Sequence, residues 1–354
     1  MIHPPFFGLD VSDLTVKFLK AGGGNGSAEK KIDYFGEIAI PTGIVELGEI
    51  KKEEELSKIL KGGLKNPQGK KIEERFVVAS LPEEKSFVRV IQLPKLKQED
   101  IAAAVRWEIE GNIPFPIDQV YYDYEIITPP EDPNDHMDVL ITAFPRIIVE
   151  SYSAVLREAG LRPVALELES QAISRAVISA ELSRNAFIVV DIGMTRTSFI
   201  VFSAGSIILT ISVSIGGQDF NRAISERFGV DPQEGERLKK EDGFDKTYQG
   251  GALADALTPY LSSLSEEIKK QIWFYRGHAE HHHGAEKDVS KILLVGGDAN
   301  LIGLEKYLSL SLKKPVAVAD PFINIYGTNS KTIPPIPKNL SLKYTTAAGL
   351  ALRE

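Results

Sequence analysis

The chain contains no cysteine. That excludes disulfide frameworks, thiolate nucleophiles and cysteine-ligated metals, and it permits a reducing compartment without requiring one. No uninterrupted apolar run reaches the ~20 residues of a membrane-spanning helix. The most apolar stretch, Ala186 to Ile215, is broken by Asp191 and Arg196. The start, MIHPPFFGLD, lacks a basic segment followed by an apolar run, so it does not read as a secretion signal. Positive charge is short: 41 Lys and Arg stand against 49 Asp and Glu, a net charge of −8. A nucleic-acid backbone binder usually carries the opposite balance. The GxGxxG fingerprint of dinucleotide binders is also missing.

What is present has the makeup of an ordinary globular chain. Its 354 residues, 43% hydrophobic and 25% charged, can bury the cores of two domains. The first pattern is a strand, an acidic turn and a second strand, PFFGLDVSDLTVKFLKA, with Asp10 at the turn. The design returns 181 residues later in AFIVVDIGMTRTSFIVFSAG, with Asp191 at the turn. Two similar α/β halves, each offering an acidic hairpin tip, are expected.

Between the hairpins the chain reads as mixed α/β. FVVASL is a short buried strand and SFVRVIQL a half-exposed one. A helix is expected from about Gln98 to Glu110, with Ile101 and Val105 at helical spacing. Trp107 on this helix reads as core. Two strands, VYYDYEII and MDVLITAF, and a helix, PRIIVESYSAVLREAG, complete a β-α-β-β-α insert from Glu83 to Gly160 with its own small core. Its charged loop is PPEDPND. SQAISRAVISAEL is a helix with Ser170 as candidate N-cap. Gly216-Gly217 leads into another, on which Phe220, Ile224 and Phe228 share a face. Leu253 to Tyr275 is mostly helical. Four histidines, His278 and His281–His283, sit among Gly, Ala and charged residues and read as a solvated loop. KILLVGG is a strand ending in Gly296-Gly297, and a Pro-rich linker crosses to a last small-residue helix, YTTAAGLALRE.

Two acidic hairpin tips and a Gly-Gly turn form a set with chemical meaning. Phosphates need backbone N–H groups at close range, which glycine permits. A magnesium ion bridging phosphates needs carboxylates, usually through water. Singly, each feature has a plain alternative. Asp10 alone could be a turn aspartate.

Together they resemble the actin-like ATPase superfamily. GLDVSDLTVK resembles its first phosphate hairpin, VVDIGMTRTSFIVF the second, and LLVGGDANLIGLEKYL the adenosine motif. WEIEGNIPFPIDQVYYDYEI, ELESQAISRAV, IGGQDFNRAISERFG and VADPFINI resemble the PilM family of type IV pilus assembly proteins in particular. The resemblance runs from Phe6 to Leu352. It implies an actin-like, ribonuclease H-like two-domain α/β fold with a small inserted α+β subdomain. The first domain would comprise 1–82, 161–185 and 340–354, and the insert 83–160. The second domain would comprise 186–220 and 288–339, with a mainly helical subdomain at 221–287.

The resemblance also implies roles. ATP and Mg²⁺ are the expected cofactors. Asp10 and Asp191 would hold the Mg²⁺ hydration shell, and Lys17 would contact phosphate. Gly193, Thr195 and Thr197 fit the second hairpin's D-x-G-x-x-x-T pattern, with Gly217 at the following helix. Glu236 and Lys239 match a ribose- and base-contacting helix, or form a solvated helix face. Gly296, Gly297 and Asn300 would flank adenosine. Glu169 stands where the ATPases place the acid that orients attacking water, or it favours a helix N-terminus. The first hairpin departs from the usual D-x-G-[ST], reading Asp10-Val11-Ser12-Asp13. Asp13 then brings a carboxylate near phosphate oxygens, at about 1 kcal/mol per like-charge pair in water, or joins the metal shell.

The expected function is a cytoplasmic ATP-binding scaffold at the inner membrane, at most a weak ATPase. Its partner would be the N-terminal cytoplasmic tail of a PilN-like membrane protein. The tail would lie against the insert near Ile101, Val105 and Ile109. The pilus motor ATPase, the platform protein and self-association are further contacts the resemblance raises. An FtsA-like division protein is the alternative, disfavoured because YTTAAGLALRE carries no basic amphipathic tail. An active kinase or ATPase of the same fold is disfavoured by the altered first hairpin.

Overall fold

A computed structural model describes residues 4–23, 30–113, 115–127, 135–244, 248–278, 286–328 and 330–353. The first half opens with β1 (Phe6–Val11), β2 (Thr15–Gly23), β3 (Lys30–Ala39), the short pair β4 (Val45–Glu46) and β5 (Glu49–Ile50), and α1 (Glu53–Gly63). After β6 (Gln68–Gly69) and β7 (Phe76–Leu81) come β8 (Phe87–Pro94), α2 (Gln98–Asn112), β9 (Val120–Ile126) and β10 (His136–Pro145). Then α3 (Arg146–Glu158), β11 (Arg162–Leu168) and α4 (Glu169–Val177) lead out. The second half holds β12 (Phe187–Ile192), β13 (Thr197–Ser203), β14 (Ser206–Val213), α5 (Gly217–Phe228), α6 (Pro232–Glu241) and α7 (Ala252–His278). It continues with β15 (Lys291–Val295), α8 (Leu304–Leu312), β16 (Val316–Val318) and α9 (Ile323–Tyr326). Finally α10 (Lys338–Ser341) and α11 (Thr345–Ala351) return to the first half.

The two halves share one topology. The first sheet runs β11-β7-β1-β2-β3-β6 and the second β14-β13-β12-β15-β16. In each, an antiparallel meander of three strands continues into two parallel ones. The repeat extends to register: Asp10 lies opposite Lys17 on β2, and Asp191 lies opposite Ser198 on β13. Each acidic residue is therefore delivered to the same place, one residue before the end of a central strand.

Strand alternation explains how the layers are held. Phe7, Leu9 and Val11 face a core shared with α1 and α3. On β12, Ile188, Val190 and Ile192 face the core under α5 and α7, while Phe187 and Val189 face the other way. That other core is common to both halves. It joins Leu19 and Phe35 of the first sheet, Ile173 of α4, Val189 and Val295 of the second sheet, and Ala347 of α11. Helix α11 lies close on its neighbours because its residues are small. A Cβ on Gly349 would fall 1.7 Å from the Ala172 carbonyl oxygen.

The insert is a three-stranded antiparallel sheet, β8-β10-β9, covered on one face by α2. Here two expectations are corrected. Ile148, Tyr152, Val155 and Leu156 of α3 are buried in the first sheet's core rather than in the insert's. The insert's own core is confined to β8, α2, β9, β10 and the residues adjoining them. Trp107 is 75% exposed, not core. It is two residues, about 200°, from Val105, so it sits on the opposite helix face. Of the PPEDPND loop only Asp135 is described, and His281–His283 lie outside the described residues. Among the described residues, no helix is long and apolar enough to cross a membrane.

Candidate functional site

The two acidic hairpins face each other across a cleft of about 760 Å³ between the halves. The first hairpin closes with Ser12 N–H donating to the Thr15 carbonyl at 2.9 Å. Lys17 folds over its tip, donating to Thr15 Oγ1 at 2.6 Å and to Ser12 Oγ at 3.5 Å. The second hairpin closes with Gly193 N–H donating to Arg196 O at 2.9 Å. Gly217 N–H then donates to Gly193 O at 2.9 Å, which stitches the N-terminus of α5 to that hairpin. The turn after β15 completes the cleft. Gly296 has φ of +88°, and a Cβ there would lie 2.4 Å from Asp191 Oδ1. Only glycine allows the turn to approach the carboxylate so closely.

Of the residues singled out from sequence, Asp10, Ser12, Asp13, Lys17, Glu169, Asp191, Gly193, Thr195, Glu236, Lys239, Gly296, Gly297 and Asn300 line this one cleft. Thr197 and Gly217 do not. Thr197 is wholly buried and donates to the Ile215 carbonyl at 2.7 Å, so it braces the hairpin from behind. Gly217 accepts from Lys239 Nζ at 3.3 Å. Lys239 is buried and ion-paired with Asp298 at 2.5 Å, rather than part of a solvated face. Burial raises the Asp298 pKa even so. Asn300 Nδ2 donates to the carbonyls of Gly297 at 3.3 Å and Asn339 at 3.1 Å. It thus ties the turn to α10.

The central acids are strongly perturbed. Burial pushes Asp10 up to about 6, against the pull of Lys17. Ser80 Oγ donates to Asp10 Oδ1 at 3.0 Å and accepts from Val11 N–H at 3.0 Å. Burial pushes Asp191 up to about 7, and Glu169 and Asp10 push it further the same way. Two desolvated carboxylates facing one cavity, both resisting ionisation, suit a divalent cation, whose charge would reverse the effect. Among the described residues no three acidic or imidazole side chains gather into a cage. The donor set therefore fits a Mg²⁺ that keeps most of its waters and binds through one or two carboxylates.

Asp13 departs from expectation. Its carboxylate accepts from Gly48 N–H at 2.9 Å and from Thr195 Oγ1 at 3.2 Å, and it lies 4.0 Å from the Arg196 guanidinium. Those partners turn the carboxylate toward Gly48 and Arg196, a cation it shares with two other acids. Arg196, which the sequence reading did not single out, lines the same cleft. It also lies 2.7 Å from Glu84 and donates to both oxygens of Glu169 at 3.1 and 3.2 Å. Burial opposes the Arg196 charge, but Glu169, Glu84 and Asp13 outweigh it and hold the pKa above the ordinary arginine value. Ser170 is not an N-cap. Its N–H and hydroxyl donate to Glu83 at 3.1 and 3.0 Å, so a distant carboxylate caps α4. Burial pushes Glu83 up to about 7.

The expected partner groove is also corrected. Ile101, Val105 and Ile109 are the inward face of α2, packed on the insert's sheet with no more than 2% of each exposed. A groove of about 800 Å³ lies on the sheet's other face, between Leu140, Thr142 and Phe144 of β10 and the first half's Leu168 and Arg175. Its rim is β9, an edge strand carrying the half-exposed Tyr121 and Tyr122. At its floor Glu167 is paired with Arg175 at 2.6 Å and with Arg353.

Solved structures share this fold. A chain of a PilM-PilN type IV pilus biogenesis complex is 24% identical, with TM-score 0.82 over 99% of this chain and 98% of that one. The ethanolamine utilization protein EutJ of Carboxydothermus hydrogenoformans is 16% identical, with TM-score 0.57 over 99% and 90%. MreB5 of Spiroplasma citri, solved with AMPPNP, is 14% identical, with TM-score 0.53 over 91% and 94%. The architecture is thus the actin-like one that the paired hairpins implied. The family model for the type IV pilus assembly protein PilM matches residues 8–354, and the chain belongs to that family.

Proposed function

We propose that this chain is a nucleotide-binding scaffold of type IV pilus assembly. The observation that carries the reading is the convergence of Asp10, Asp191 and the Gly296 turn on one cleft. That MreB5, which shares the fold, was solved with AMPPNP supports a nucleotide as the ligand. ATP is the proposed ligand, with Mg²⁺ supplying charge between the phosphates and the two acids. Asp10 and Asp191 hold its water shell, Lys17 meets phosphate, and Gly296, Gly297 and Asn300 flank adenosine. Glu169 is engaged by Arg196 in the nucleotide-free state.

The proposed partner is a PilN-like inner-membrane protein, as the PilM-PilN complex among its structural relatives suggests. Its N-terminal tail, extended, would lie in the groove beside β9. There an edge strand offers main-chain groups and Leu140, Phe144 and Leu168 offer apolar walls. The chain would then be cytoplasmic and held at the membrane through that partner.

The test is calorimetric titration with Mg-ATP and with adenosine. Asp191→Ala is expected to weaken Mg-ATP at least tenfold and adenosine less than threefold. Equal losses would show the metal role to be misassigned, and no binding by the wild type would end the nucleotide reading.

A further inference from the structure

Arg196 holds together three segments that are remote in sequence. Asp13 comes from the first hairpin, Glu169 from the start of α4, and Glu84 from the junction Glu83–Lys85 that leads from β7 into β8 of the insert. The arginine itself sits on the second hairpin and lines the cleft, with its side chain only 14% exposed. One cation therefore faces three carboxylates. Glu84 depends on it most. Both its oxygens are buried without a hydrogen bond from another residue, so the ion pair with Arg196 is the main offset to their desolvation. Burial already pushes Glu84 up to about 7 against that pull, and Glu169 and Asp13 push the same way. Beside it, Glu83 caps α4 through Ser170, and its N–H approaches Glu169 at 3.4 Å. The root of the insert and the wall of the cleft are thus one ionic cluster with a single shared cation.

We propose that Arg196 is a two-position switch: it stays on Asp13, Glu84 and Glu169 when the cleft lacks a terminal phosphate, and turns to that phosphate when a nucleoside triphosphate is present. The inference rests on the nucleotide reading above and adds the route by which occupancy reaches the insert. A guanidinium recruited by phosphate leaves Glu84 buried with no cation, next to two further acids. Like charges in a dry site separate or take up water. Either response loosens the junction from which the insert hangs. A diphosphate, lacking the terminal group, leaves the cluster intact.

The experiment is hydrogen–deuterium exchange of the full chain over residues 83–94, with nucleotide affinity measured separately by fluorescent-nucleotide titration. Saturating Mg-AMPPNP is expected to speed exchange there at least threefold in the wild type, and Mg-ADP to change it by less than a factor of 1.5. Arg196→Ala is expected to lose at least tenfold more affinity for AMPPNP than for ADP. Glu84→Gln leaves Arg196 on Glu169 and introduces no cavity. It strands no buried charge when Arg196 turns, so its exchange at 83–94 is expected to stay within a factor of 1.5 on adding AMPPNP, and its AMPPNP affinity to equal or exceed that of the wild type. Bound AMPPNP with unchanged exchange at 83–94 in the wild type, or equal losses for the two nucleotides in Arg196→Ala, overturns the switch while leaving the nucleotide site standing. Failure of the wild type to bind either nucleotide removes the nucleotide reading and the switch with it.

Discussion

At the residue scale the site is defined by carboxylates held where they resist charge. Asp191 has its pKa raised from 3.8 to about 7, chiefly by burial. Below 3.8 it is protonated in folded and unfolded chains alike and contributes nothing. Between 3.8 and about 7 the unfolded chain gives up the proton while the folded chain keeps it. Stability therefore falls across that window as pH rises, and the loss is complete above it. Asp191→Asn removes the loss. In denaturant melts of the ligand-free protein it is expected to match wild type near pH 4 and to be more stable at pH 8, by on the order of 2 kcal/mol. No difference at pH 8 would mean that the carboxylate is solvated. The positions of Asp10 and Asp191 were legible in the sequence because a hairpin is local: a strand, an acid and a strand are neighbours in the chain. The partners of Arg196 were not. Glu84 and Glu169 reach it only through tertiary folding, and nothing in TRTSFIVF names them.

At the element scale, periodicity gives a helix and its buried face but not what lies against it. Ile101, Val105 and Ile109 repeat every four residues, the pattern of a core face, and they pack on the insert's own sheet. The same arithmetic places Trp107 outside. Ile109→Ala is expected to destabilise the insert by about 2–5 kcal/mol through a cavity. Trp107→Ala should cost within about 0.5 kcal/mol, as exposed positions do. Limited proteolysis within 87–145 reads both, and equal susceptibility of the two variants would refute the assignment of faces. Helix α3 was misplaced for a related reason. Its apolar stripe is plain in the sequence, but two sheets were available to receive it, and only the fold selects the first.

At the scale of the whole molecule, the paired sheets were legible from the repeat of the two hairpins. Their common core was not. Leu19, Ile173, Val189, Val295 and Ala347 come from both halves, so the halves are joined by apolar contact below the cleft as well as by Arg196 across it. Calorimetry of the ligand-free chain is expected to show the two halves melting in one transition. The insert, with its separate core, is expected to melt earlier in Ile109→Ala. Two transitions that persist in wild type, each half melting alone, would contradict a shared core.

The position of α11 has a consequence in time. A ribosome makes β1 almost 340 residues before Thr345–Ala351, yet the two are in direct contact, since a Cβ on Gly8 would meet the Ala347 carbonyl at 2.3 Å. The face of the first sheet that α11 covers stays open throughout synthesis of everything between. Contacts this far apart in sequence close late and slowly. The nascent chain therefore holds two paired sheets and an uncovered seam until α11 has been made.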